Sequence, residues 1–143
     1  MKKIVIIDGQ GGKIGSLLTG RLKKESGRYE LYALGTNSIA TAAMLKAGAD
    51  FGATGENPVI VNCRDADMIV GPIGIVAADS LFGEITPAMA VAVGQSRAQK
   101  VLLPIDRCDH YVVGVQDLPI PELVEAAARH IVSVLENASW TGA

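Results

Sequence analysis

The fold is first indicated by the stretch Lys3-Ile4-Val5-Ile6-Ile7-Asp8-Gly9-Gln10-Gly11-Gly12-Lys13-Ile14-Gly15. Residues 3–8 form a short, unbroken and mostly β-branched apolar run, which is typical of a strand buried on both faces of a sheet. Beyond the glycines the period changes, because the apolar residues recur at helical spacing: Ile14, Leu17, Leu18 and Leu22. The stretch therefore predicts a strand, a glycine-rich turn and a helix.

The same alternation continues along the chain. Further strands are predicted at 29–34, 50–53, 67–70 and 100–105, and 111–115 is a candidate for one more. The first helix is predicted to stop at Gly27, and the others run from Asn37 or Ser38 to Gly48, from Asn57-Pro58, from Thr86-Pro87 to about Ala98, and over 119–136. The second helix carries the apolar residues Ile39, Ala42, Ala43 and Leu45.

Strands that alternate with helices imply right-handed crossovers and a parallel sheet. The predicted fold class is α/β: a three-layer, Rossmann-like, doubly wound and mostly parallel sheet of about five or six strands. Residues 1–137 are expected to form a single domain, with 138–143 as a C-terminal tail. Hydrophobic residues make up 49% of the chain and aromatic residues only 4%, so the core must come from aliphatic side chains, which suits such a sheet.

Charge, hydropathy and cysteine content together argue against several classes of function. Thirteen basic and fifteen acidic side chains give a net charge of −2, so the chain lacks the basic stripe of nucleic-acid binders. The first apolar run is too short for a signal peptide, and no stretch approaches the ~20 apolar residues of a membrane span. Cys63 and Cys108 lie far apart and predict reduced thiols. We expect a cytoplasmic protein without nucleic-acid or membrane partners.

The glycine turn is the predicted ligand site. Loops that leave the carboxyl ends of parallel strands gather at one edge of the sheet, where ligands bind. The helix after the turn offers unpaired N–H groups and a partial positive charge to an anion. We expect a phosphate-bearing ligand to contact Gly9, Gln10, Gly11, Gly12, Lys13, Ile14 and Gly15. The alternative is a turn that uses glycine for its own conformation and binds nothing.

The glycines follow the spacing Gly9-x-x-Gly12-x-x-Gly15. This spacing resembles the turn of dihydrodipicolinate reductases and of extended short-chain dehydrogenases, and Gly12-Lys13-Ile14-Gly15 is similar to the Gly-Arg-Met-Gly stretch of the former. The resemblance covers roughly the first fifty residues. It implies NAD or NADP as the cofactor.

The end of the second predicted strand departs from the pattern of NAD-binding domains. Such domains have an acidic residue there to hold the ribose hydroxyls, whereas this chain has Gly35-Thr36-Asn37. No arginine is placed there for a 2′-phosphate either. Thr36, Asn37 or Ser38 is expected to hydrogen-bond a ribose or a phosphate, and a smaller nucleotide or phosphate ligand stays open.

A second cluster follows the predicted strand at 100–105. Asp106, Arg107 and His110 are the candidate catalytic residues, because Arg107 can pair with a phosphate and His110 can act as a general acid or base. The alternative is an ordinary polar loop. No metal site is predicted, since Cys108 and His110 lack two further ligands.

Three further features have two or more possible roles. The long apolar stretch 71–86 is either a loop that serves as a lid over the ligand or as a subunit contact, or it contains a short buried helix at 75–81. Asp8 either orients the turn or contacts a ligand hydroxyl. His130, within the last predicted helix, is expected at the helix surface or at an interface.

Four segments together resemble a small bacterial family of conserved proteins of unknown function: 6–12, 35–38, 71–75 and 83–90. The resemblance implies a Rossmann-like fold and no particular reaction. We therefore predict nucleotide, dinucleotide or phosphate binding at the glycine turn. The alternatives are a non-enzymatic ligand sensor or assembly module, and a small enzyme that uses Asp106–His110 on a phosphorylated metabolite. A mean hydropathy of +0.30 favours a homo-oligomer.

Overall fold

The computed structural model describes residues 1–25, 27–105 and 109–137. Within them, five strands form one sheet in the order β3-β2-β1-β4-β5. The strands are β1 (Lys2–Asp8), β2 (Tyr29–Gly35), β3 (Phe51–Thr54), β4 (Met68–Pro72) and β5 (Gln99–Leu103). All four strand pairs are parallel, which confirms the predicted α/β class and the doubly wound sheet.

Helices cover both faces of the sheet. They are α1 (Lys13–Leu22), α2 (Ser38–Lys46), α3 (Glu56–Cys63), α4 (Pro87–Gln95) and α5 (Ile120–Glu136). Side chains of α1, α2 and α5 share one buried cluster with Ile4 and Ile6, while α3 and α4 share the other with Val5 and Ile7. The central strand β1 therefore meets helices on both sides, which explains its unbroken apolar run.

The strand order reverses at β1. This strand pairs with β2 on one side and with β4 on the other, and the chain reaches β4 only after β2 and β3. The loops that follow β1 and β4 consequently diverge at the carboxyl edge. Such a point leaves a crevice, and it is where open α/β sheets bind ligands.

Helix α2 does not bury its most hydrophobic residues. Ile39 is 69% exposed and Leu45 is 43% exposed, whereas Ala40, Thr41 and Met44 are buried. The reason is tertiary: α2 packs against α1 and the glycine turn, and small or flexible side chains allow this close approach. The helix start is confirmed, because the Asn37 side chain accepts a hydrogen bond from the Ala40 N–H.

Four predictions are corrected. Helix α3 begins after Gly55 rather than at Asn57, and α4 ends at Gln95 rather than near Ala98. Residues 111–115 form no strand and are largely exposed. The stretch 75–81 holds no α-helix, since a 3-10 helix over Ile73–Val76 gives way to turns.

In the described ranges, no helix combines the length and the apolar character needed to cross a bilayer.

Candidate functional site

The turn between β1 and α1 is closed by its own backbone. The Gly12 N–H donates to the Gly9 carbonyl at 2.9 Å, and the Ser16 N–H donates to the Gly12 carbonyl at 2.8 Å. Gly12 has a φ of 74°, in the left-handed region that glycine adopts without strain. Gln10 has a φ of 50°, which is unusual for a residue with a side chain. The turn therefore holds strained backbone at its tip.

Asp8 orients this turn. Its buried carboxylate accepts hydrogen bonds from the Gly9 N–H at 2.8 Å and from the Gly15 N–H at 2.6 Å. One side chain thus ties the end of β1 to the first turn of α1, and its negative charge complements the positive end of the helix. A contact between Asp8 and a ligand hydroxyl stays a prediction.

Glycine is required at Gly12 and Gly15 by the packing of α2. A Cβ at Gly15 would lie 2.5 Å from the Met44 sulfur, and one at Gly12 would lie 2.8 Å from the Ala40 Cα. Gly11 differs, since no atom lies within 4 Å of the corresponding position. The packing of the protein itself therefore explains glycine at positions 12 and 15. Among the glycines of this turn, Gly11 alone faces open space.

Sequence reasoning missed Glu84, which lies against the same turn. Its Oε1 accepts hydrogen bonds from the Gln10 N–H at 2.9 Å, the Thr36 hydroxyl at 2.6 Å and the Asn37 side-chain amide at 2.8 Å. All three donors belong to the residues predicted to bind a ligand. The structure thus brings the predicted residues together, but around a carboxylate of the same chain. We call these three donor groups the Glu84 cradle.

The Glu84 carboxylate is stabilised in its charged form by neutral groups. Burial raises the pKa of Glu84, but the hydrogen bonds from Thr36, Gln10 and Asn37 outweigh burial, so its pKa lies below the ordinary value. No ion pair between described residues includes Glu84. Two features of the sequence could have pointed to Glu84. They are the long loop 71–86 at the ligand edge, which contains it, and the lack of an acidic residue after β2.

Glu84 is carried by a strained segment, residues 77–85. Asp79, Leu81 and Phe82 all have left-handed backbone, with φ values of 67°, 56° and 55°. The Asp79 N–H donates to the Ile85 carbonyl at 2.7 Å, which closes the segment on itself. Leu81 is buried near Gly9, whereas Phe82 is 98% exposed. A segment held in sparsely populated backbone conformations is a candidate for a functional element.

Not every amide of the turn is engaged. Within the described part of the chain, the N–H groups of Gly11, Lys13 and Ile14 have no acceptor. The first turn of α1 contains no acidic residue, and Lys13 is exposed. The positive end of α1 is therefore only partly neutralised, by Asp8.

These amides belong to a cleft of about 240 Å³. Residues 8–14 form one wall, and the others come from Pro72 at the end of β4, Leu81, Ile105 after β5 and Ile120 at the start of α5. The cleft thus lies at the strand-order reversal, as predicted for a ligand site in this fold.

Two other cavities between described residues lie elsewhere. One of about 200 Å³ lies at the amino edge of the sheet, near Tyr29 and Asp50, and one of about 570 Å³ is an open groove between α3 and α4. The cleft at the β1–α1 turn is the better candidate site, because ligands of open α/β sheets bind at the carboxyl edge of the strands.

The second predicted cluster is only partly described. Asp106 and Arg107 lie outside the described residues, and His110 is exposed in the segment that leads to α5. The chain enters this region at Ile105, which lines the cleft. His130 is exposed on α5, where its ring contacts the Gln99 side chain. Among the described residues, no three His, Cys, Asp or Glu side chains are grouped so as to hold a metal ion.

Cys63 is a free, buried thiol. Burial raises its pKa to about 11, so the thiol stays protonated near neutral pH. It packs in the buried cluster between the sheet and helices α3 and α4.

Comparison with solved structures supports the fold. The chain is similar to a dodecameric FMN-dependent UbiX-like decarboxylase from Escherichia coli O157:H7, with 18% identity, a TM-score of 0.51 and coverage of 100% of both chains. A weaker similarity is to an arsenate reductase in the phosphate-binding state, with 19% identity, a TM-score of 0.44 and coverage of 94% of this chain and 96% of the other. Another is to a short-chain dehydrogenase/reductase from Saccharomyces cerevisiae, with 15% identity, a TM-score of 0.45 and coverage of 97% of this chain and 66% of the other. At these identities only the first similarity is informative, and it is informative about the fold alone.

Two sequence comparisons gave different results. None of the curated proteins matches this chain. A protein-family model does match, over residues 3–136, and so covers nearly the whole chain.

Proposed function

This chain belongs to the family described as a domain of unknown function (DUF3842), and from that premise we propose that it binds a small phosphate-bearing ligand in the cleft at the β1–α1 turn. The phosphate would accept hydrogen bonds from the Gly11, Lys13 and Ile14 N–H groups. The observation that carries the proposal is that these amides lack an acceptor among the described residues, while the rest of the turn is internally bonded.

The charges around the turn favour an anion. The N-terminus of a helix carries a partial positive charge. Lys13 is the first residue of α1, is exposed and lines the cleft. Gly11 has no side chain and no close neighbour, so a phosphate oxygen can approach its backbone. Asp8 opposes this attraction, but its carboxylate is already engaged with two other amides of the turn.

The size of the cleft favours a small ligand over a dinucleotide. Pockets that enclose drug-sized ligands hold roughly 300–1,000 Å³. The cleft of about 240 Å³ suits a phosphate with a small attached group, such as a sugar phosphate or part of a mononucleotide. NAD or NADP would need residues 77–85 to move, because Leu81 and Glu84 lie over Gly9. We therefore propose a small phosphate ester as the ligand, with NAD or NADP as the alternative.

Asp106, Arg107 and His110 remain the candidate residues for a reaction. Ile105, just before them in the sequence, lines the cleft. We propose that Arg107 pairs with the bound phosphate, as arginine does in many phosphate sites. A sensor without turnover is the competing function. Binding without any chemical change in the ligand would favour the sensor.

The proposal includes a cytoplasmic homo-oligomer. Tyr111 and Val113 are 83% and 85% exposed, and Phe82 is almost fully exposed, which is unfavourable in a monomer in water. The free thiol of Cys63 is compatible with a reducing compartment.

The test measures the affinity of the wild type for several phosphate compounds and the effect of one charge reversal, Lys13→Glu, on that affinity. Wild-type protein is titrated calorimetrically and by thermal shift with inorganic phosphate, ribose 5-phosphate, AMP, NAD and NADP. A ligand at 100 times its Kd should add about 2.7 kcal/mol of stability. Lys13→Glu should weaken phosphate binding about tenfold or more, through a repulsive charge worth about 1.4 kcal/mol beside the ligand. It should not destabilise the fold, because an acid suits the first turn of a helix.

Lys24→Glu is the matched control. Lys24 is exposed beyond the far end of α1, so this variant has the same net charge without a change at the turn. Equal phosphate affinities for the two variants, or no response of the wild type to any phosphate compound, would contradict the proposal.

A further inference from the structure

We propose that the Glu84 cradle is a second anion subsite, which Glu84 occupies until a phosphate or carboxylate group of the ligand displaces it. The inference rests on the proposed function, since the subsite adjoins the cleft, and it deepens it. The ligand class becomes a molecule with two anionic groups, such as a diphosphate or a phosphorylated carboxylic acid. Glu84 is then a competitor tethered to the protein.

The cradle binds one oxygen atom with three donors from different parts of the chain. The donors are the Gln10 N–H in the turn, the Thr36 hydroxyl after β2 and the Asn37 amide at the start of α2. Convergence of neutral N–H and O–H donors on one anionic oxygen is the usual arrangement in carboxylate and phosphate sites. The occupying group is a carboxylate, so the subsite is already shown to accept an anion.

The donors are positioned by bonds in which Glu84 takes no part. The Thr36 N–H donates to the Asp8 carbonyl at 3.0 Å, which fixes the end of β2 against β1. The Asn37 Oδ1 accepts the Ala40 N–H at 2.8 Å, and its amide nitrogen also donates to the Gln10 carbonyl at 3.0 Å. The cradle would therefore persist after Glu84 leaves, as a preorganised site requires.

The occupant is held in a way that allows exchange. Glu84 is only partly buried and has no cation partner among the described residues. Its segment, 77–85, contains three non-glycine residues with left-handed backbone, Asp79, Leu81 and Phe82. Release of the segment relieves that strain, which offsets part of the loss of the Glu84 hydrogen bonds. An external anion therefore competes with a strained internal one.

The subsite and the cleft are continuous. Gln10 belongs to the cradle through its N–H and also lines the cleft. Leu81 lines the cleft and lies three residues before Glu84, so displacement of Glu84 would also move a wall of the cleft. One ligand can thus place one anionic group at the start of α1 and a second one in the cradle.

The test removes the tethered competitor. Inorganic phosphate and pyrophosphate are titrated calorimetrically into the wild type, Glu84→Ala and Glu30→Ala, all checked for native circular dichroism. A competitor that occupies the subsite nine-tenths of the time lowers apparent affinity about tenfold, so Glu84→Ala should bind pyrophosphate about tenfold more tightly. Glu30→Ala, which removes an equal charge at the amino edge of the sheet, should match the wild type. Unchanged or weaker binding by a folded Glu84→Ala overturns the inference.

A second substitution tests the cradle itself. Thr36→Val removes the hydroxyl donor and keeps the shape of the side chain, so in the Glu84→Ala background it should abolish the gain in affinity. A gain that survives Thr36→Val would overturn the assignment of the subsite. Hydrogen exchange gives a check that needs no variant: saturating pyrophosphate should speed exchange at the Asp79, Gly83, Glu84 and Ile85 amides of the wild type. Unchanged or slower exchange there would contradict displacement.

These results separate the two proposals. Phosphate binding that depends on Lys13 but not on Glu84 would leave the proposed function standing and overturn the second subsite. Binding that appears only in Glu84→Ala and depends on Thr36 but not on Lys13 would support the cradle alone. Failure of every variant to bind phosphate or pyrophosphate would overturn both.

Discussion

Gly11 and Gly12 are adjacent in the turn but have opposite surroundings. Gly12 has a φ of 74°, and a Cβ there would meet the α2 backbone at Ala40, whereas nothing lies near Gly11. Gly12→Ala should therefore destabilise the fold by about 2–4 kcal/mol, through the left-handed backbone and the clash. Gly11→Ala should be neutral or stabilising by up to about 1 kcal/mol. Urea unfolding of the two variants measures this contrast, and similar losses of stability would contradict it.

Glu84 should make stability depend on pH. Its pKa lies below the ordinary value in the folded protein, because the Thr36, Gln10 and Asn37 hydrogen bonds favour the charged form. A lowered folded-state pKa contributes stability that is present above the unfolded-state pKa, about 4.3, and is lost as the pH falls through the folded-state value. Between about pH 5 and pH 3 the wild type should thus lose more stability than Glu84→Gln. Parallel stability curves for the two proteins would show that the cradle does not stabilise the charge.

At the scale of elements, the segment 77–85 adopts left-handed backbone at residues that disfavour it. Phe82 has a φ of 55° and is 98% exposed, so its side chain gains nothing from burial in the described chain. Phe82→Gly should be more stable than Phe82→Ala by about 0.5–1 kcal/mol, because glycine removes the left-handed penalty at some cost in chain entropy. Chemical denaturation of both variants under dilute conditions provides the measurement. Equal stabilities would mean that the segment relaxes and stores no strain.

At the scale of the whole molecule, the exposed apolar side chains predict self-association. Light scattering with size exclusion should give a multiple of 14.9 kDa. Replacing both Tyr111 and Val113 with Ser should shift the protein toward the monomer, since these side chains are more than four-fifths exposed and are not needed by the core. Far-UV circular dichroism should stay unchanged. A monomeric wild type would contradict the proposed homo-oligomer.

The sequence alone determined the elements whose signals are local. The β-branched run of β1 and the start of α2 at Asn37 followed from the sequence because strand length and capping depend on neighbouring residues. The order of these elements was enough to predict a parallel, doubly wound sheet. It also placed a glycine-rich turn at the carboxyl edge, with Asp8 as a candidate to orient it.

Tertiary structure decided which residues meet. The buried face of α2 is set by how closely the helix approaches Gly12 and Gly15, so the most hydrophobic side chains, Ile39 among them, are not those it buries. Glu84 reaches Thr36 across 48 positions of sequence, and no local pattern encodes such a contact. The sequence identified donors suited to an anion. Only the folded chain shows that one of its own carboxylates accepts from them, because side-chain contacts between distant segments depend on the packing of the whole sheet edge.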